Sequence, residues 1–309
     1  MENSHLKTFL AEQIAVWKEA GENYRKLEKT VTADVCFGNF TVRIQHNPGR
    51  IVSTGAKTDA ASISERKCFL CSCNRPSEQQ CIAMKPYSIC VNPFPIFKEH
   101  FTVASDTHTR QHLGNRLSDM LRLSYKFPDY SIFYNGPHSG ASAPDHFHFQ
   151  MAPRRTMPLE QDAENVLILK TVLGGEVFSL INYLRRVLLF KSGNPDRIVQ
   201  LFSKAAAAAG CRPGETEPRM NLIAWYESGI YTLAFIPRTE HRPEEFFLTG
   251  PERIMFSPGA VDMAGLIIAP RKEDFETYLR PGILERLFRQ VSPEASVFEH
   301  LENPEIYAK

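Results

Sequence analysis

Residues 135–150 read NGPHSGASAPDHFHFQ and join a turn of small residues to an alternating run of polar and aromatic side chains. In an extended strand alternate side chains share a face. His146, His148 and Gln150 therefore point to one side of a predicted strand, and the two phenylalanines between them point to the core. The Gly- and Ser-rich turn before this strand offers backbone N–H groups that an anion can approach closely.

A structural explanation competes with a functional one for this stretch. A lone histidine in a strand is usually only a satisfied polar group, but three polar side chains on one face are costly in a core. Each unpaired buried polar group costs about 1–3 kcal/mol. Polar clusters beside concave loops mark sites, so we interpret the stretch as a phosphoryl-transfer site with a histidine nucleophile.

The composition indicates an ordinary globular protein. The chain has 309 residues, of which 43% are apolar and 23% charged, and a net charge of +1. Its length allows about two domain-sized units, and its charge gives no case for binding nucleic acid or acidic membranes. We find no signal peptide and no apolar run long enough to span a bilayer. We therefore expect a cytoplasmic protein whose seven cysteines are metal-bound or free rather than a disulfide framework.

Hydrophobic periodicity predicts an α+β fold with a largely antiparallel sheet. The predicted strands are 31–37, 40–46, 87–92, 100–105, 130–135, 146–152, 220–227, 230–237 and 263–269. The predicted helices are 4–20 (ended by Gly21), 109–127, 176–190, 195–209 and 272–289, and 47–66 is a predicted loop. The second half repeats the strand and helix material of the first without its own His-x-His. This suggests two similar halves, a catalytic one over 1–152 and a degenerate one over 153–309 that completes the site.

Cys68 and Cys71 have the Cys-x-x-Cys spacing that lets two thiolates bind one tetrahedral zinc ion. In the cytosol the same spacing also occurs in redox-active pairs, but zinc is the favoured interpretation. The spacing leaves the other two ligands open. The candidates are Cys73, Cys81, His108, His112, His138 and His146.

Three segments resemble the histidine-triad-like (HIT-like) nucleotidyltransferases with a His-x-His-x-Gln motif. This group includes galactose-1-phosphate uridylyltransferase, diadenosine tetraphosphate phosphorylase (ATP adenylyltransferase) and the GDP-hexose phosphorylases. CFLCSCN at 68–74 looks like the zinc segment of the uridylyltransferases. NPFPIFKEHF at 92–101 looks like the ribose-binding strand of the superfamily, and residues 135–150 look most like the active site of the diadenosine tetraphosphate phosphorylases.

The resemblance implies the roles of individual residues. His148 would be the nucleophile that attacks the α-phosphorus of a nucleotide, and Gln150 would hold the phosphoryl oxygens. Asn92 would contact the ribose and Phe94 the base, although Asn-Pro-Phe-Pro is also typical of a simple turn into an edge strand. The groups expected to stabilise phosphoryl charge are Asn135, Ser139, Gly140, Ser142 and Gln150.

The resemblance also implies a structural zinc ion bound by Cys68, Cys71, His108 and His146. A local set made of Cys68, Cys71, Cys73 and Cys81 is the alternative, and it would have no link to the active site. The first set would fix the cysteine loop to the strand that carries His148.

The implied function is a nucleotidyltransferase or phosphorylase with a covalent nucleotidyl-histidine intermediate. The donor would be a dinucleoside polyphosphate or a nucleoside diphosphate sugar, and the acceptor phosphate or a sugar phosphate. A dinucleoside polyphosphate hydrolase is the first alternative, which Gln150 disfavours because a neutral amide cannot move the proton that water attack requires. A non-catalytic nucleotide-binding protein is the second alternative. We expect neither nucleic acid nor a membrane as partner, and the base, the acceptor and a homodimeric state stay open.

Overall fold

A computed structural model describes residues 3–55 and 60–308 and shows two sheets. The large sheet has ten strands and only antiparallel pairs. They are β3 Cys81–Met84, β4 Tyr87–Val91, β5 Phe101–Ser105, β6 Tyr130–Asn135, β7 His148–Pro153, β8 Leu169–Leu173, β9 Val177–Leu180, β10 Leu188–Ser192, β11 Met220–Glu227 and β12 Ile230–Pro237. The small sheet contains β1 Val31–Phe37, β2 Phe40–His46 and β13 Leu266–Ala269, with β13 parallel to β2.

Eleven α-helices accompany the two sheets in the described part of the chain. They are α1 Asn3–Val16, α2 Lys18–Leu27, α3 Ile51–Thr54, α4 Ala60–Glu65, α5 Leu117–Lys126, α6 Pro158–Asp162, α7 Pro195–Ala209, α8 Ala260–Met263, α9 Lys272–Tyr278, α10 Ile283–Val291 and α11 Ala295–Leu301. None of the helices in the described part of the chain combines the length and the apolar character that a membrane span requires.

The order of the large sheet is β3-β4-β5-β7-β6-β11-β12-β10-β9-β8. The run β3 to β7 is thus arranged 3-4-5-7-6, and the run β8 to β12 is arranged 8-9-10-12-11, with β6 and β11 paired between them. The predicted α+β fold with its antiparallel sheet is confirmed. The division into a catalytic half and a degenerate half stays a prediction.

The large sheet is buried on both faces. Because alternate side chains point to opposite sides, β6 sends Ile132 and Tyr134 into one core and Phe133 into the other. Helices α5 and α7 pack on the first face. The second face packs against β2, with Val42 and Ile44, and this is the face toward which the predicted catalytic side chains point.

The predicted C-terminal end of the first helix, at residue 20, is wrong. Helix α1 stops at Val16, Trp17 adopts an extended conformation, and α2 begins at Lys18 with Gly21 inside it. A Cβ atom at Gly21 would lie 2.3 Å from the carbonyl oxygen of Ile14. The glycine therefore lets the two helices approach each other and does not end a helix.

The other differences concern short apolar or irregular segments. The predicted helix 176–190 is wrong, because this region forms β9 and β10, two short buried strands whose apolar runs have no distinguishing period. The predicted loop 47–66 contains α3 and α4, and its residues 56–59 lie outside the described residues. The predicted helix 272–289 is two helices separated at Gly282. Only the part of 109–127 from Leu117 onward is helical, and β3 and β8 were not predicted.

Candidate active site

The strand that carries the two predicted catalytic residues lies between β5 and β6. In β7, His148 faces Ala104 of β5, and Gln150 faces Thr102 of β5 and Phe133 of β6. On β6, Asn135 follows two residues after Phe133 and pairs with Asn221 of β11. Polar side chains from three neighbouring strands therefore gather on one end of one face.

The imidazole of His148 has a defined tautomer. Its Nδ1 lies 2.9 Å from the carbonyl oxygen of His146. A carbonyl oxygen only accepts, so Nδ1 carries the proton and Nε2 keeps its lone pair. Burial lowers the pKa of His148 to about 4. The ring is thus neutral near pH 7 and presents a free Nε2.

The side chain of Gln111 fixes the backbone of the nucleophile strand. Its Oε1 accepts from the His148 N–H at 2.8 Å. Its Nε2 donates to the carbonyl oxygens of Asn135 and His148 at 2.9 and 3.0 Å. The β6–β7 pairing ends at Phe133 and Gln150, so this buried amide continues the hydrogen bonding where the two strands separate. Sequence reasoning had placed Gln111 in a helix and assigned it no role.

We expect Gln111→Leu to lower kcat by about 100-fold, because a displacement near 1 Å of an attacking atom has that effect. The substitution leaves three buried backbone groups without partners, so a stability loss of about 2 kcal/mol accompanies it. Steady-state kinetics and thermal unfolding measure the two effects. Gln200→Leu, an exposed position on α7, is the matched control. Wild-type kcat in Gln111→Leu would contradict the positioning role.

The amide of Gln150 is oriented by a buried histidine. The Ile96 N–H donates to Nδ1 of His100 at 3.2 Å, so Nε2 of His100 carries the proton and donates to Oε1 of Gln150 at 2.9 Å. Burial, reinforced by the charge of Arg50, lowers the pKa of His100 to about 3. Because its oxygen is occupied, Gln150 has its NH₂ group left to donate. The spacing of Asn92 and His100 had pointed to function, and this contact gives His100 a definite part in the site.

The loop between β6 and β7 packs tightly on a second loop. Gly140 has φ +96°, and a Cβ there would lie 2.7 Å from Cα of Gly259, so only glycine allows this approach. Ser139 is fully buried, and its Oγ has no hydrogen-bond partner among the described residues. Ser142 is half-buried. Ser142 is thus the more accessible of the two predicted serines.

The side-chain oxygen of Asn135 is hydrogen-bonded to two neighbouring residues. Its Oδ1 accepts from the Ala260 N–H at 2.6 Å and from Nδ2 of Asn221 at 2.9 Å. Asn221 also donates to the carbonyl oxygen of Ser139 at 2.7 Å. The oxygen of Asn135 therefore orders the loop, and only its NH₂ group remains for a phosphoryl oxygen. Sequence reasoning did not find Asn221, because its segment showed no more than strand character.

Asn92 and Phe94 lie two strands away from His148. Oδ1 of Asn92 accepts from the Phe94 N–H at 3.0 Å, and its Nδ2 lies 3.4 Å from Oγ1 of Thr102. The turn that offered a purely structural explanation is thus present. Phe94 also lines a cleft of about 680 Å³ together with Trp17 and Asn23, which agrees with a place beside a base.

The four predicted metal ligands lie together. One ligand atom from each of Cys68, Cys71, His108 and His146 falls within 4.8 Å of all the others, so this cluster could hold a metal ion. Nε2 of His146 lies 2.8 Å from the carbonyl oxygen of Ser105, which requires the proton on Nε2 and leaves the Nδ1 lone pair toward the thiols. Two thiolates and two imidazoles are a donor set typical of structural zinc.

The alternative zinc set of Cys68, Cys71, Cys73 and Cys81 does not come together in the structure. Cys81 forms a disulfide with Cys90, because the two residues face each other in the β3–β4 ladder. The expectation that the cysteines near the zinc motif are metal-bound or free is therefore wrong for Cys81. Cys73 is exposed and is not one of the four clustered residues.

Comparisons with known proteins agree with this architecture. The crystal structure of yeast Ap4A phosphorylase Apa2 matches 90% of this chain and 97% of its own, with a TM-score of 0.59 and 14% identity. The same enzyme in complex with Ap4A gives a TM-score of 0.58 at 16% identity, with 89% and 96% covered. Its complex with AMP gives 0.56 at 14% identity, with 91% and 96% covered.

This chain has the fold of an Ap4A phosphorylase. The shared fold agrees with the predicted fold resemblance to the diadenosine tetraphosphate phosphorylases. Residues 9–153 match a family described only as a domain of unknown function (DUF4922). No curated protein is significantly similar in sequence.

Proposed function

We propose that this chain is a nucleotidyltransferase of the phosphorylase type that forms a covalent nucleotidyl intermediate on His148. The observation that carries the proposal is the tautomer of His148, whose Nδ1–H is bound to a backbone carbonyl and whose Nε2 is free. A neutral imidazole oriented in this way is an activated nucleophile. The shared fold with yeast Ap4A phosphorylase, which has been solved with Ap4A and with AMP, favours a dinucleoside polyphosphate as donor.

The reaction takes two displacements. Nε2 of His148 attacks the α-phosphorus, a P–N bond forms, and the P–O bond to the leaving nucleotide breaks with its electron pair. The positive charge that develops on the ring is stabilised through Nδ1–H by the carbonyl of His146. In the second step an oxygen of inorganic phosphate attacks the same phosphorus and the P–N bond breaks, which returns His148 to its neutral state.

Gln150 stabilises the charge on the phosphoryl oxygens in both steps. Because His100 occupies its oxygen, the NH₂ group is fixed as a donor before the reaction begins. An amide cannot take a proton from water. Phosphate needs no such base, since its oxygen is already anionic near pH 7, so the site favours phosphorolysis over hydrolysis.

Zinc is the metal that the cluster of Cys68, Cys71, His108 and His146 fits best. A set of four protein ligands leaves no open position for substrate, so the ion would have a structural role. It would link the cysteine loop to the segment that leads into β7, two residues before the nucleophile.

The test is to trap the intermediate and identify the products. Ap4A labelled at the phosphorus next to adenosine should leave an acid-labile label on the protein in the absence of phosphate. Added phosphate should release that label as ADP. AMP formed at the same rate with and without phosphate would support the hydrolase instead. Binding without labelling, across dinucleoside polyphosphates, nucleoside triphosphates and nucleoside diphosphate sugars, would support a non-catalytic protein.

A further inference from the structure

Arg50 is a half-buried cation whose side chain has one hydrogen-bond partner among the described residues. Its Nη1 donates to the carbonyl oxygen of Phe94 at 2.6 Å, the single hydrogen bond of the side chain within the described residues. Its Nε is inaccessible to solvent and has no partner there. A guanidinium carries five N–H donors, and leaving a buried donor such as this Nε without a partner is costly.

Another arginine on the same side of the sheet shows what a structural guanidinium looks like in this fold. Arg238 donates from Nε to the carbonyl of Val291 and from Nη1 to Asn221 Oδ1 and the carbonyl of Pro258. Its Nη2 donates to the carbonyls of Glu240 and His241. Every donor of Arg238 is thus used, whereas only Nη1 of Arg50 has a partner among the described residues, so Arg50 has donors left for a ligand.

Arg50 interacts electrostatically with two groups that flank the candidate active site. Burial, reinforced by the charge of Arg50, lowers the pKa of His100, which holds Gln150, and burial raises the pKa of Asp262 to about 6, a rise that the charge of Arg50 opposes. Asp262 does not pair with it, because its two carboxylate oxygens accept from the N–H groups of Gly259 and Ile268. The next N–H, that of Ala260, is bonded to Asn135 beside His148.

The residues next to Arg50 line the cleft beside Phe94. Gly49 and Ile51 form part of its wall, while the arginine side chain turns inward to the carbonyl of Phe94. A nucleotide with its base in this cleft and its phosphorus at His148 would extend its phosphates past the guanidinium.

We propose that Arg50 binds the phosphates of the nucleotide substrate and that the substrate supplies the hydrogen-bond acceptors which the described residues do not provide. This inference rests on the proposed function, because it assigns the unpaired cation to the phosphates whose α-phosphorus reacts at His148. A guanidinium suits the task, since its planar fork matches two phosphate oxygens at once. The ligand class that it selects is a polyphosphate rather than a neutral nucleoside.

The test uses inorganic tripolyphosphate, an anion with no base, and the variant Arg50→Met, which keeps most of the aliphatic stem. We expect tripolyphosphate to raise the Tm of the wild-type protein, and Arg50→Met to bind it at least about 10-fold more weakly, the loss typical of a charge-assisted hydrogen bond. Arg50→Lys should retain part of the affinity. Arg43→Met, which removes an exposed arginine paired with Asp34, is the matched control and should bind like the wild type.

A second measurement separates ligand binding from a structural role. In the absence of anions, Arg50→Met should be as stable as the wild type or more stable, because the substitution removes a buried N–H donor that has no partner among the described residues. A marked fall in its Tm without ligand would show that Arg50 is structural. Equal tripolyphosphate affinity in wild type and Arg50→Met, or no binding by the wild type, would also overturn the inference.

The failure of this inference can be told from the failure of the proposed function. His148→Ala should bind tripolyphosphate as the wild type does, since the nucleophile is not the proposed anchor. If Arg50→Met forms the labelled enzyme from Ap4A at the wild-type rate, Arg50 is not the phosphate-binding group even though His148 is the nucleophile. If tripolyphosphate binding depends on Arg50 but no enzyme is labelled, the inference stands and the covalent mechanism is wrong.

Discussion

Replacing His148 by alanine is expected to lower kcat for nucleotidyl transfer by about a million-fold, the order of loss seen when the nucleophile of a covalent mechanism is removed. The methyl group cannot form a P–N bond, and no other described imidazole has Nε2 at this position on the sheet face. The fold should persist. The hydrogen bonds from Gln111 are made to the backbone of His148, and the one side-chain bond that is lost contributes about 1 kcal/mol.

The measurement is the rate of label transfer from Ap4A to protein and then to phosphate, together with thermal unfolding. His138→Ala is the matched control, because His138 lies exposed in the loop before the same strand. It should keep near-wild-type turnover. A His148→Ala enzyme that still accumulated label, or that turned over at the wild-type rate, would contradict the mechanism.

Chemical rescue is a second test of whether His148 is the nucleophile. In His148→Gly, free imidazole can enter the space of the missing ring and attack the same phosphorus, so nucleotidyl-imidazole should appear in solution and no label on the protein. Rescue that leaves the label on the protein would show that a different residue is the nucleophile.

The local patterns of the sequence predicted the parts of the site that one strand or one turn contains. His148 and Gln150 lie on one face because of the two-residue period of β7, and the small residues before them form a tight turn. Local patterns do not predict all four ligands of the metal cluster. Cys68 and Cys71 are recognisable by their spacing, but His146 lies 78 positions from Cys68, and only the resemblance to a family identified it.

The residues that sequence reasoning missed act through contacts that no local pattern encodes. Gln111 lies in a segment whose apolar spacing predicted a helix, yet this part of the segment is irregular. Its backbone bonds to another loop instead: the Gln111 N–H donates to the carbonyl oxygen of Pro144, and the carbonyl oxygen of Thr109 accepts from the Phe147 N–H. Arg50 lies in a polar stretch predicted as a loop. Its importance depends on which partners it lacks in the folded chain, and a sequence does not show absent partners.

The error at 176–190 has a different cause. Strands β9 and β10 are short, and their residues alternate only weakly between buried and exposed because the sheet is covered on both faces. Buried strands and buried helices then share the same apolar composition, and periodicity cannot separate them. The antiparallel type of the large sheet was therefore predicted correctly, but the prediction had too few strands in the second half of the chain.

Loss of the metal is expected to lower activity by about 100-fold, through displacement of the strand that carries the nucleophile. His146 connects the two sites, since its Nδ1 faces the thiols of Cys68 and Cys71 while its carbonyl oxygen accepts from Nδ1 of His148. His146→Asn should therefore lose zinc, lower kcat and reduce the Tm. Metal analysis of the purified protein, with kinetics on the same sample, measures these effects.

The matched control is Cys73→Ser, because Cys73 is exposed and lies outside the cluster although it is close in sequence. It should keep about one zinc ion per chain, as expected for a single four-ligand site, and wild-type activity. Loss of zinc from Cys73→Ser with retention in His146→Asn would overturn the ligand assignment, and a wild-type protein without zinc would remove the site altogether.

Replacing zinc by cobalt distinguishes a structural ion from a catalytic one. An ion surrounded by four protein ligands has no position for substrate or water, so its identity should matter little to the chemistry as long as the ligands are held. We expect cobalt-substituted protein to show the absorption of cobalt–thiolate bonds and to turn over at the rate of the zinc form. A rate that changed with the metal would place the ion in the reaction itself, because only a metal in contact with the phosphoryl group or the attacking oxygen alters the barrier through its own Lewis acidity.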